Sequence, residues 1–183
     1  MKFFFTHRFK LIVILFFFGF CSFSFSTKAQ DPYKSLSVIG NSLIFNYNTL
    51  SQYNTGITLN SWTTVRIRFQ YTGSNGWELR LFSNDDAIKY EGNPADDIAL
   101  VDLIITPTVV SSNDFTTSPN VGFVLEEGPY DSLNPNQVVV SGDGGTTGTQ
   151  VVVELTLTYD LGGMLNKPEG LYYASLYMLL VEK

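Results

Sequence analysis

The chain has 183 residues, with 11 Lys and Arg, 17 Asp and Glu, one His and one Cys. Residues 1–30 hold that His, that Cys and four of the basic residues but no acid, so the rest sets seven basic against seventeen acidic residues, a charge of −10. With neither His nor Cys, that body excludes Ser-His-Asp and Cys-His catalysis, zinc sites built on those ligands, and disulfides; its acidity argues against nucleic acid and anionic membrane as partners.

The first segment reads as an address. Lys2, Arg8 and Lys10 precede an apolar run, Leu11–Phe20, and Thr27-Lys28-Ala29 offers a small-residue cleavage site, the layout of a secretory signal peptide. The run is shorter than the ~20 residues a membrane span needs, and no later segment reaches that length. Lipidation at Cys21 calls for a small residue before it, where this chain has Phe20. A lipid anchor and an uncleaved N-terminal anchor are the two alternatives. Residues 1–29 are therefore expected to be a signal peptide and 30–183 a single domain, exported to the periplasm, cell surface or medium and not integral to a membrane after cleavage.

The body alternates with period two. After a short candidate strand at Leu43–Tyr47, Val65, Ile67, Phe69 and Tyr71 share one parity, and Arg66, Arg68 and Gln70 the other. Gly73-Ser74-Asn75-Gly76 reads as a hairpin turn into a second alternating run, with Trp77, Leu79 and Leu81 against Glu78 and Arg80. Further candidates are Ile98–Thr106, Val121–Leu125 and Val138–Ser141, separated by Pro-containing breaks. The Gly-rich stretch Ser141–Thr149 reads as a flexible loop, and Val151–Tyr159 as a half-buried strand. The last run, Leu171–Val181, is apolar on both parities, as a central strand covered on both faces, as an aromatic outer face on the sandwich, or as a strand that offers one face to another protein. No stretch carries a 3.6-residue stripe. The pattern predicts an all-β fold, an antiparallel β-sandwich of Greek-key, immunoglobulin-like type with eight to nine strands; a closed barrel is the alternative.

Little chemistry is open to this body. Neither a G-x-S-x-G elbow nor a G-x-x-x-x-G-K-[ST] loop occurs. A carboxylate pair could hydrolyse glycosides, but most acids sit in polar, loop-like stretches where nothing separates their pKa values. The oxygen-rich loops Asn84-Asp85-Asp86 and Asn93–Asp97 could hold a structural calcium, whereas Ser141–Gly145 lacks the spacing of a calcium loop. No catalytic residue, cofactor or metal ligand is assigned. The sharpest surface constellation is Trp62, Arg66 and Arg68 on one strand with Arg80 across the turn. A ring beside guanidinium groups could stack on a sugar or hold a carboxylate; alternatively Arg66 or Arg68 pairs with Glu78 and solubilises the sheet. Trp77, of opposite parity, reads as core.

One ordered series resembles a known group. Ser42–Tyr47, Tyr53–Ile57, Val65–Phe69, Gly76–Arg80 and Ile98–Thr106, then Leu155–Tyr159 and Lys167-Pro168-Glu169-Gly170-Leu171-Tyr172, are similar to segments of secreted fimbrial-type β-sandwiches: spore-coat-U-like and archaic chaperone–usher pilins, and WxL-like surface domains. The resemblance implies a non-catalytic surface or filament subunit, structural or adhesive, that meets protein partners or its own copies at sheet edges. An N-terminal extension in such pilins completes a neighbour's sheet; here only residues 31–40 are available, with Tyr33, Leu36 and Val38 as anchors. The other function expected is a carbohydrate-binding module that uses the Trp62/Arg face on cell-surface glycan.

Overall fold

A computed structural model of the chain describes residues 34–40, 42–73, 75–128, 131 and 134–183. The signal peptide expected at 1–29, and Tyr33, lie outside the described residues. Thirteen strands follow in order: β1 (Lys34–Gly40), β2 (Ile44–Tyr47), β3 (Ile57–Gln70), β4 (Trp77–Phe82), β5 (Ala87–Tyr90), β6 (Ile98–Ala99), β7 (Leu103–Ser112), β8 (Ser118–Pro119), β9 (Phe123–Val124), β10 (Val138–Gly142), β11 (Gln150–Leu161), β12 (Gly170–Tyr173) and β13 (Tyr177–Glu182). They form three sheets, ordered β1-β3-β11-β7-β9, β13-β4-β10-β8 and β2-β12-β5-β6. Every strand pairing is antiparallel. The fold is all-β and sandwich-like, as the period-two pattern predicts. The count exceeds eight to nine because β1, β5 and β8 fall outside the candidate runs, Ile98–Thr106 divides into β6 and β7, and the last apolar run is divided.

Alternation sets the layers. In β11, Val151, Val153, Leu155, Leu157, Tyr159 and Leu161 are buried while the residues between them are half-buried. They join Phe45, Tyr47 and Tyr172 from one four-stranded sheet and Trp77, Leu79 and Leu81 from the other in a single core cluster. Tyrosine hydroxyls in the core find partners. Tyr47 donates to the carbonyls of Leu161 and Gly162, each at 2.8 Å, and Tyr172 to that of Pro168 at 2.8 Å, which fixes the loop after β11. Burial, the Asp160 charge and the neighbouring tyrosines hold the Tyr47 phenol far above its usual pKa.

Two expectations are corrected. The turn at 73–76 does not make a hairpin: β3 pairs with β1 and β11, whereas β4 pairs with β10 and β13 in another sheet. The turn carries the chain from one layer to the other. Second, Leu171–Val181 is not one strand. It breaks at 174–176 and crosses between sheets, β12 pairing with β2 and β5, and β13 with β4. The even-numbered residues face the core on both sides of the crossing, Tyr172 buried and Ala174, Leu176, Met178 and Leu180 packed against the core cluster, while Tyr173, Tyr177 and Leu179 leave an exposed apolar face on the other parity. One short helix, α1 (Leu50–Thr55), also forms. Thr49 and Gln52 make a capping box, with the Gln52 amide donating to Thr49 Oγ1 at 3.3 Å and Thr49 N donating to Gln52 Oε1 at 3.0 Å.

Candidate functional site

The four residues singled out on the sequence do not converge. Arg66 and Arg68 stand on the outer face of the five-stranded sheet, where with Ser35 and Ser37 of β1 they line a shallow recess of about 230 Å³. Arg66 is half exposed and pairs with Glu154 of β11 at 2.8 Å, not with Glu78. Arg80 is buried in a different sheet. Its guanidinium meets Glu78 Oε2 at 2.5 and 2.9 Å and donates to the carbonyls of Asp131 and Asn134 at 2.7 and 2.9 Å. It therefore holds the Asp131 and Asn134 backbone over β4, and residues of both parities in β4 are buried. Trp62 is half-buried and packs against the core cluster, next to a bulge where Leu59 faces Tyr159 and Thr63 faces Leu157. Ser61 takes the left-handed region there, φ 47°, and the Trp62 indole N–H is buried with no partner among the described residues. Trp77 is core, as expected.

Several of the acids are tied up in structural hydrogen bonds and ion pairs. The two oxygen-rich loops do meet, but on an ammonium: Lys89 pairs with Asp86 and, at 3.3 Å, with Asp97. Among the described residues, no three His, Cys, Asp or Glu side chains gather as a metal would need. Glu78 feels burial, which alone would raise its pKa, but bonds from Lys183 and Arg80 outweigh it and hold the carboxyl below its usual value. Glu182 behaves likewise: against burial, the amide and hydroxyl of Thr72, the Lys34 ammonium and the Gly73 amide pull it down to about 2.

The feature that the sequence reading missed is an open side. β1 and β13 are edge strands of two different sheets. They approach at one end, where Lys34 Nζ lies 3.0 Å from Glu182 Oε2. Toward Gly40 and Tyr177 they part around a groove of about 480 Å³ lined by Val38, Leu43, Ile44, Tyr173, Leu176 and Met178, among others. Its floor includes Thr63 and Tyr159, joined by a 3.0 Å hydrogen bond. Of this lining Val38, Ile44 and Tyr173 are exposed, as are Ile39 elsewhere on β1 and Tyr177 and Leu179 elsewhere on β13. No charged residue occurs at 35–65 or 170–181, the two stretches that build this side. The signal available in the sequence was this pair of charge-free stretches rather than the arginines. No known protein family matches the chain, and no curated protein matches it.

Proposed function

We propose that this chain is a non-catalytic, exported surface protein, structural or adhesive in role, that meets a second copy of itself through the open side between β1 and β13. The observation that carries the reading is the uncharged apolar groove with an unpaired strand edge on either bank. Edge strands offer backbone N–H and C=O groups to another strand, and natural sheets blunt them with Lys, Pro or bulges. β13 has no such device between Tyr177 and Val181. A body of charge −10 beyond residue 30 repels its own copies over most of its surface, least where no charge lies. A filament subunit of the fimbrial kind is one form of this function. Donation of the N-terminal segment to a neighbour is not the form that the geometry supports, because residues 34–40 are already paired with β3 of the same chain in unbroken register.

The test is sedimentation of the trimmed protein, residues 30–183, over a wide concentration range. Concentration-dependent association, weakened about tenfold or more by Leu179→Lys on the β13 edge, is the expected result. A protein that stays monomeric throughout, or associates equally well with Leu179→Lys, overturns the reading. Removing residues 31–40 instead would strip β1 from β3 and test only folding. Export is tested separately, by sequencing the N-terminus of protein recovered outside the cytoplasm, with a start near Gln30 expected.

A further inference from the structure

A second recess lies among the loops after β7 and β10. It encloses about 280 Å³, below the ~300–1,000 Å³ of drug-sized sites and suited to one small ring. Phe115 lines it and is 100 % exposed. A loop that merely failed to bury a phenylalanine would be loosely held; this one is among the most densely hydrogen-bonded parts of the molecule. Asp114 is its hub. One carboxylate oxygen accepts the Trp77 indole N–H at 2.8 Å and the Gly144 amide at 3.0 Å. The other accepts the Thr116 amide at 2.9 Å and the Thr116 hydroxyl. Ser112 and Thr117 hydroxyls bond the Asp114 backbone, and the Asn113 side chain bridges Gln150 O and Val152 N, each at 2.7 Å. The opposite wall is joined on by the Asp143 amide, 2.6 Å from Thr116 Oγ1. The loops are fixed, and they hold an aromatic ring in water.

The polar groups left over say what the ring is for. Among the described residues, the Asp143 carboxylate and the Gln150 side-chain amide have no partner, and both line the recess. One only accepts; the other both donates and accepts. No Lys or Arg lines the site, so an anionic ligand finds no counter-charge. A cation would use Asp143 and the ring face but leave the Gln150 donors idle. A neutral pyranose fits all three: its C–H face lies on Phe115, and its hydroxyls donate to Asp143 and exchange bonds with Gln150. We propose that the recess beside Phe115 binds one ring of a neutral saccharide. It shares no lining residue with the open side, so it stands independently of self-association.

The test uses the trimmed protein against a panel of neutral hexose and pentose oligosaccharides, read by saturation-transfer NMR, with the Trp77 indole N–H resonance as an internal reporter of the Asp114 hub. Binding by at least one oligosaccharide is expected. Phe115→Ala should weaken it at least tenfold and Asp143→Asn several-fold, with the free-protein Trp77 resonance unmoved, and Phe115→Trp should retain it. The ring and Asp143 touch only solvent and ligand, so a variant with a displaced Trp77 resonance contradicts the geometry. Failure of every saccharide to bind, binding indifferent to Phe115→Ala, or preference for a quaternary ammonium compound or an acidic sugar each overturns the proposal.

Discussion

Glu182 offers the sharpest test of how the open side is held at its closed end. Its side chain is only 8 % exposed. One oxygen accepts the Thr72 amide and, at 2.8 Å, the Gly73 amide, and the other pairs with Lys34. A single carboxylate thus joins the end of β13, the crossing between β3 and β4, and the start of β1. Its pKa falls from 4.5 to about 2, and at ~1.4 kcal/mol per pKa unit this corresponds to about 3 kcal/mol of stability. Because the folded-state value is depressed, that contribution is complete above the unfolded value near 4.5 and is lost as pH falls toward 2; about 2 kcal/mol of it is gone by pH 3. Glu182→Gln keeps an acceptor for the two amides and removes the charge. Urea unfolding should find the variant about 2–3 kcal/mol less stable at pH 7 and only about 1 kcal/mol less stable at pH 3. Glu78 and Asp114, also held below their usual values, weaken both proteins alike in acid and cancel in the comparison. A gap of equal size at the two pH values would refute the assignment of this energy to the Glu182 charge.

Four further substitutions separate roles that sequence alone confuses. Arg80→Ala leaves Glu78 with Lys183 alone and removes the donor to two carbonyls, and should cost about 3 kcal/mol, whereas Arg66→Ala removes a surface pair and should cost less than about 1 kcal/mol in the same urea series. Gly144 has φ +70°, and a Cβ there would lie 2.7 Å from the Tyr71 ring; Gly144→Ala should lower stability by about 1–3 kcal/mol by calorimetry. Trp62→Phe removes a buried N–H with no partner among the described residues, so the usual penalty for trimming a packed aromatic should shrink to within about 1 kcal/mol of neutral, or reverse.

The strands were legible where one face is buried. The Val65–Tyr71 and Val151–Tyr159 alternations, and Trp77 as core, follow from period two alone. Topology was not, because alternation tells a strand which way is in without telling it which sheet it joins. The Gly73–Gly76 turn has hairpin chemistry and still crosses layers, and that one difference moves Arg80 from an outer face to the interior. Its burial rests on a non-local event, the closing of residues 131 and 134 over β4. α1 was missed although Thr49-x-x-Gln52 is a capping box in plain view: its six residues are too few for an apolar stripe. The glycines of 142–148 do not make a slack loop either. Gly142 admits the Trp77–Asp114 bond, since a Cβ there would stand 2.5 Å from Asp114 Oδ2, and the Gly148 amide donates to the Tyr71 carbonyl at 2.7 Å.

The distribution of charge connects this fold to what it can do. Seventeen acids lie outside residues 1–30, and the buried ones are consumed in holding loops and edges: Glu78 on Arg80 and Lys183, Glu182 on Lys34, Asp114 on Trp77. Stretches 35–65 and 170–181 carry none, and they build a side where two strand edges stand open. Contact through that side brings two bodies of charge −10 together with no ion pair across the join, so the long-range term opposes association and only apolar burial and strand pairing favour it. Salt therefore has a definite sign. Raising the ionic strength from about 0.01 to 0.15 M shortens the Debye length from about 30 to 8 Å and should tighten self-association measured by sedimentation. Contact through the Arg66–Arg68 face against an acidic patch of a neighbour would loosen over the same range, which makes the direction of the change, rather than its size, the decisive reading.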